Sequence, residues 1–477
     1  MTSELKMRAQ ASLAALAGLA LRVFLILKFP MTSSGDAPLY TTLAWNWLRR
    51  GVYGLFLDGH PTPVDIRAPG YPAFLAAIFA FAGNSARAVM LAQALVDVAT
   101  CLVIAGIAAR LAPSPARRRA ALASLWLAAL CPFTANYTAV VLTETLATFL
   151  TALAMLLFLE ADARLNAGET PALPTSKLGL SPWFLMGVVA GFAALVRPES
   201  PLLLLAAGLV LAAKWRRPAD WRKLARTALL LAAGLAAPLA PWAARNWRTL
   251  HEVQFLAPRY SDLPGEREPL GFDAWTGTWL WRFRDVYLTL WKINDEEVRI
   301  GDIPASAFDS AAERQHVTKL LAEYNQTLAL SPPQDSEFGL LAHARTSRHP
   351  LRTYLRIPLL RSLAIWFTPR VELLPYSGRL WPPREQWASD PEDFLVTLAL
   401  FVVNGAYVGL ALAGAWKARG QPGMALLIVF PLVRTAFLAY FVETPEPRYV
   451  LECFPAVIAL AAQVFSPGDQ SSSTGSG

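Results

Sequence analysis

The residues whose types and spacing suggest chemistry gather first between Ser34 and Pro72, a polar stretch set between two long apolar runs. It carries Asp36, a helix-spaced aromatic and apolar stripe (Leu39, Tyr40, Leu43, Ala44, Trp47, Leu48), then Asp58, His60 and Asp65, and finally Arg67-Ala68-Pro69-Gly70-Tyr71-Pro72. Imidazole and carboxylates in one loop can bind a divalent cation, so Asp36, Asp58, His60 and Asp65 are candidate ligands. A solvated loop is the plainer reading of that spacing. Asp36 is followed by Pro38, which also suits the N-cap of an amphipathic helix. Glu144 stands near the start of another apolar run. It reads either as an acid meeting the helix dipole or as a functional group at the bilayer edge. Arg67, Arg245 and Arg448 lie at ends of apolar segments, where arginines commonly snorkel to lipid headgroups, and Arg197 can bridge to Glu199.

Composition says what holds these groups. Of 477 residues, 55% are hydrophobic and 16% charged, a membrane balance rather than a soluble one. The net charge of +8 falls mostly in short loops of the kind found on the cytoplasmic side, so no nucleic-acid partner is needed to explain it. Cys101, Cys131 and Cys453 sit in apolar segments without metal-ligand or disulfide spacing. The first apolar run lacks a convincing cleavage site and has Arg22 and Lys28 near its far end, so it is expected to be retained as a helix.

About ten transmembrane helices are expected, making an all-α polytopic protein. They run from Ala9 to Phe29, Ala86 to Leu111, Ala120 to Phe133, Ala139 to Leu159, two flanking Arg197–Ser200, one ending at Pro241-Trp242, and then Phe394 to Trp416, Met424 to Phe441 and Val450 to Phe465. The expected organisation is a transmembrane module over 1–244 with an outer loop at 31–72, an outer-face region over 245–391 and C-terminal helices over 392–466. A disordered tail, 467–477, follows. Leu351 to Phe367, with three arginines, is expected to lie on the membrane surface. Trp275, Trp279, Trp281 and Trp291 are expected to mark where the outer region rests on the bilayer, or to stack on sugar. The positive-inside rule puts both termini in the cytoplasm of a plasma (inner) membrane. Asp36, Arg67, Glu144, Arg197, Arg245 and Arg448 then share the outer face.

Gly35-Asp36 with Tyr40, followed by Arg67-x-Pro-Gly-Tyr-Pro72, resembles the first outer loop of GT-C superfamily glycosyltransferases. The branch is that of the phospholipid-carrier-dependent enzymes, which includes protein O-mannosyltransferases and lipid A aminoarabinose transferases. Thr143-Glu144-Thr145, Arg197-Pro198-Glu199, Pro241-Trp242 with Arg245-Asn246, and Arg448-Tyr449 resemble further phrases of that branch. The resemblance fades between Leu250 and Asp390. One departure is Ala37, where protein mannosyltransferases carry a second acid.

The resemblance implies a GT-C-type fold and inverting transfer of a sugar from a polyprenyl-phosphate carrier to an acceptor hydroxyl. Asp36 would be the base and Glu144 a second acid. Arg67, Arg245 and Arg448 would grip the donor phosphate. Tyr40, Tyr71 and Glu199 would contact substrate. Membrane lipid, a carrier-linked donor and a glycan, lipid or protein acceptor are the expected partners, with a divalent cation as the candidate cofactor. A secondary transporter or lipid flippase, and a lipid-linked glycan polymerase or ligase, are the alternatives. The first is disfavoured because no internal repeat is evident and the charges lie at one face.

Overall fold

Long apolar runs without breakers fold as helices, because in lipid each backbone polar group must find its partner inside the segment. The computed structural model describes residues 3–32, 35–57, 59–166, 180–217, 220–258 and 268–466. Asp58, residues 167–179 of the loop after the fourth expected span, and the tail from 467 lie outside the described residues. The chain divides into two compact units, one of residues 1–261, 369–433 and 451–477, the other of 262–368 and 434–450.

The first unit begins with α1 (Ser3–Lys28) and α2 (Ala37–Arg50). A two-stranded antiparallel hairpin follows, β1 (Gly54–Leu57) and β2 (His60–Pro63), in the register Gly54 to Pro63. Next come α3 (Gly70–Ala82), α4 (Ala86–Leu111), α5 (Arg117–Ala129), α6 (Pro132–Asn136) and α7 (Glu144–Asn166). After these stand α8 (Pro182–Val196), α9 (Leu202–Lys214) and α10 (Trp221–Leu250).

In the second unit, α11 (Leu270–Gly277), α12 (Phe283–Leu288), α13 (Ala311–Thr327), α14 (Pro332–Arg348) and α15 (Ile357–Phe367) follow in order. The chain then returns to the first unit through α16 (Pro383–Ser389) and α17 (Pro391–Lys417). Its last helices are α18 (Met424–Phe441), divided between the units after Val433, and α19 (Phe454–Ala461).

Among the described residues, seven helices are long and apolar enough to cross a membrane, or eight if the bent pair Ser114–Ala129 and Pro132–Ala139 counts as one span. The expectation of ten included α8 and α9, which flank Arg197. At 15 and 13 residues they fall short of the roughly 20 that a crossing needs.

Small residues let the helices of the first unit meet closely. A Cβ on Gly187 of α8 would lie 2.3 Å from the Leu231 carbonyl oxygen, and one on Gly234 of α10 would lie 2.2 Å from that of Phe184. One turn along, Gly191 faces Pro238, so α8 and α10 pack through a small-residue seam. Deep between α1, α4 and α5, Arg22 is fully buried. It donates to Asp97 at 2.8 Å and to the carbonyls of Gly18, Ala128 and Ala129. An intramembrane charge is by default a functional candidate, but this one is saturated by partners and acts as a structural tie.

The second unit has its own apolar core of Phe272, Trp275, Trp279, Val317, Leu321, Tyr324 and Phe338. This corrects the expectation for two of the tryptophans. Trp275 and Trp279 are 0% and 2% exposed and meet edge to face with ring centroids 5.3 Å apart. A polar stretch that folds as its own unit needs large apolar side chains for its core, and these two supply it. Leu351 to Phe367 does not form one uniform helix. A π-helical turn at Arg352–Arg356 precedes α15, and Arg361 is turned inward, donating to the Leu280 carbonyl at 2.9 Å.

Candidate active site

Asp36 occupies the N-cap position of α2, yet its side chain makes no capping hydrogen bond. The carboxylate instead accepts from Arg67 Nη2 at 2.8 Å, with side-chain exposures of 37% for Asp36 and 22% for Arg67. Two segments bring them together. Pro38 in the first turn starts α2, and the extended stretch after β2 carries Arg67 back to it. Burial works against the charge on Arg67, but Asp36 and Tyr40 beside it more than offset this and hold the guanidinium above its ordinary pKa. Burial, and then the Asp36 charge, push the Tyr40 hydroxyl well above its usual range.

Tyr40 meets Tyr71 edge to face at 5.2 Å. The Tyr71 hydroxyl donates to Gln93 Oε1 at 2.7 Å, while Gln93 Nε2 donates to the carbonyls of Thr138 and Val140. Gln93, on α4, thus fixes both Tyr71 and the strand-like segment leading to Glu144. At the head of α3, a Cβ on Gly70 would lie 2.6 Å from the Leu195 carbonyl. Only glycine lets α3 sit this close to the end of α8, and so beside Arg197.

Glu144 opens α7 and is 2% exposed. Arg197, at the end of α8, holds it at 3.0 Å, reaches Glu199 at 2.8 Å and lies 3.4 Å from Glu452. Glu452 accepts further hydrogen bonds, both at 2.9 Å, from Thr151 and Ser200. One buried guanidinium is therefore ringed by three carboxylates from α7, the α8–α9 turn and the segment before α19. The expected Arg197–Glu199 bridge is present. Glu452 was not foreseen, because a single acid before an apolar helix has no spacing signature. Gln93 gave no signal for the same reason.

Arg245, on α10, donates to the carbonyls of Val64 at 2.9 Å and Tyr53 at 2.6 Å. Its guanidinium lies 5.0 Å from the centre of the Trp242 ring. It clamps the hairpin segment of the first loop onto α10. Alongside is a cavity of about 970 Å³ whose mainly apolar lining includes Trp47, Tyr53, Phe74, Phe192, Trp242 and Arg245. Tyr53 donates its hydroxyl to the Arg67 carbonyl at 2.8 Å, which links the cavity wall to the Asp36–Arg67 pair.

Asp36, Tyr40, Arg67, Tyr71, Glu144, Glu199 and Arg245 all belong to the first unit, and Arg448 belongs to the second. There Arg448 pairs with Glu446 at 2.5 Å. Arg434, within α18, donates to the Tyr449 carbonyl at 2.7 Å. Another arginine escaped notice in the sequence. Arg370 is buried at φ 59°, donates to Asn404 at 3.0 Å and faces the rings of Phe133 and Phe454.

The metal candidates do not assemble. Among the described residues no group of three or more His, Cys, Asp or Glu side chains is placed to hold a metal ion. Asp36 faces Arg67 instead, His60 is exposed on β2, and burial pushes the Asp65 carboxyl up from its ordinary pKa. Asp58, the fourth candidate, lies outside the described residues.

Residues 63–242, under half of the chain, match the family described as dolichyl-phosphate-mannose-protein mannosyltransferase. That segment contains Arg67, Tyr71, Glu144 and Arg197. Among solved structures, the Archaeoglobus fulgidus oligosaccharyltransferase tethered to an acceptor peptide is 15% identical. It covers 97% of this chain and 49% of its own, with a TM-score of 0.52. The same organism's AglB, in complex with an inhibitory peptide and a dolichol-phosphate, is 14% identical, covers 96% and 50%, and has a TM-score of 0.49. ArnT from Cupriavidus metallidurans, in the apo state, is 13% identical, covers 98% and 78%, and has a TM-score of 0.37. No curated protein sequence matches the chain. The fold is that of the GT-C glycosyltransferases, as the first-loop phrase implied. The chain spans about half the length of the archaeal oligosaccharyltransferases it matches.

Proposed function

We propose that this protein is an inverting membrane glycosyltransferase that moves a sugar from a polyprenyl-phosphate carrier to an acceptor hydroxyl. The observation that carries the reading is Asp36: a helix-start carboxylate that leaves its cap and turns to Arg67, in the loop whose Tyr53 and Pro69 line an apolar cavity. In a single in-line displacement the acceptor oxygen forms a bond to the anomeric carbon as the bond from that carbon to the phosphate oxygen breaks. The acceptor's proton passes to Asp36, and the polyprenyl phosphate departs with the electron pair. Arg67 is the candidate ligand for the phosphate charge, with Arg245 at the cavity wall. The cavity receives the first units of the lipid. Tyr40 lies at the floor of the sugar site, backed from behind by the fully buried Tyr71, and Glu144, held by Arg197, orients the acceptor with Glu199 nearby.

The pattern of charges supports an outer-face site with both termini in the cytoplasm of the plasma membrane. Glu144, Arg197 and Arg245 stand at one set of helix ends in the first unit. The pairs Arg110–Glu160 and Lys214–Asp162 stand at the opposite ends of α4, α7 and α9. Arg117, Arg118 and Arg119, which open α5 shortly after the far end of α4, add net positive charge at the ends away from the site, which fits the positive-inside rule.

Radiolabelled polyprenyl-phosphate sugars, offered to the purified protein in lipid, test the donor class. Water serves as a slow acceptor, so the expected result is sugar released from at least one carrier-linked donor and none from the matching nucleotide sugar. Release from the nucleotide sugar alone would contradict the reading.

A further inference from the structure

A second feature that suggests a ligand lies in the second unit, where α14 runs through a short junction into α15. The π-helical turn Arg352–Arg356 widens the helix at this point, and such turns re-aim side chains and recur at functional sites. Leu351, Tyr354 and Leu355 are left 74%, 63% and 50% exposed, and Leu359 and Leu363 on α15 are 56% and 55% exposed. Beside them is a groove of about 820 Å³. Its apolar lining is mainly Leu351, Leu355, Leu359 and Leu360, and its basic lining is Arg348, His349, Arg352 and Arg356, with no acidic side chain.

The basic groups are not equivalent. Arg348 and Arg352 are tied to Asp309, at 3.2 Å and 2.5 Å, beneath the turn. Arg356 is exposed and its guanidinium has no hydrogen-bond or ion-pair partner among the described residues. A cation left open beside a row of exposed leucines matches a ligand with an anionic head and a hydrocarbon tail. A soluble anion would leave the leucines in water, and an apolar ligand would leave Arg356 without a counter-charge.

We propose that this groove seats one anionic phospholipid, its phosphate on Arg356 with Arg348 and His349 beside it, and an acyl chain along Leu351, Leu355 and Leu359. This docks the second unit on the membrane surface and does not depend on the glycosyl-transfer reading.

The test is native mass spectrometry of the full-length protein in detergent, titrated with phosphatidylglycerol or with phosphatidylcholine. Arg356→Gln should weaken retention of one phosphatidylglycerol by about fivefold, the effect of one basic side chain at an anionic surface. Arg356→Lys should restore it, and phosphatidylcholine should distinguish none of the three proteins. Because Arg356 touches no partner, the variants should melt with the wild type in phosphatidylcholine, which separates lost binding from lost folding. Equal phosphatidylglycerol retention by wild type and Arg356→Gln would overturn the proposal. So would a loss that appears equally with phosphatidylcholine.

Discussion

Single side chains decide the chemistry here, and two of them changed meaning between sequence and structure. Asp36 reads as a helix cap from its neighbour Pro38, and its position is indeed the N-cap, but its carboxylate faces Arg67. Local sequence gives the position of a cap residue and not the direction of its side chain, which depends on a partner 31 residues away. Glu144 was legible as an acid at the bilayer edge. Its ring of Arg197, Glu199 and Glu452 was legible only in part, because Glu452 comes from the far end of the chain. That ring makes a stability prediction. Arg197→Met leaves two buried carboxylates and the half-buried Glu199 without their shared cation, and breaking such a cluster costs about 3–5 kcal/mol. Glu452→Gln still accepts from Thr151 and Ser200 and should cost much less. Thermal unfolding in lipid compares the two, and equal losses would contradict the central place given to Arg197.

Elements set where those side chains meet. Helix positions came readily from the apolar runs, whereas the β1–β2 hairpin in the first loop was not foreseen. Its four-residue strands, one of them His-Pro-Thr-Pro, carry no alternating pattern to reveal them. The α8–α10 seam was equally silent, since the glycines sit in runs that read only as apolar. Gly187→Val should force the helices apart, as its Cβ would lie 2.3 Å from the Leu231 carbonyl, at a cost of about 1–3 kcal/mol. Gly208→Val on α9, where nothing lies within 4 Å of a Cβ, is the control. Melting of the two variants in lipid reads the difference. Arg245→Ala should release the hairpin from α10, seen as faster proteolysis between β2 and α3 with the helical core intact.

The two units of the molecule differ in what the sequence disclosed. The first was readable as a membrane bundle, with its candidate site residues carried by short polar phrases between the apolar runs. The second was readable only as polar and tryptophan-bearing, because a small core assembled from short helices has no long periodic segment. It also holds a pH signature. Burial first, then the charges of Glu268, Glu443 and Asp335, push the Asp273 carboxyl up to about 7. The folded unit keeps a proton that the unfolded chain releases near pH 4, so this group's contribution to stability is intact below that pH and declines as pH rises through about 7. Asp273→Asn should flatten that decline and raise the melting temperature at pH 8 more than at pH 4. Parallel profiles for variant and wild type would contradict the assignment.

The most direct measurement compares wild type with Asp36→Asn, purified in lipid, for release of sugar from a radiolabelled polyprenyl-phosphate donor. The account predicts at least about a hundredfold slower release by Asp36→Asn, the usual scale of a lost general base, with melting temperature and donor binding unchanged. Equal release by the two proteins would contradict the assignment of Asp36 as the base.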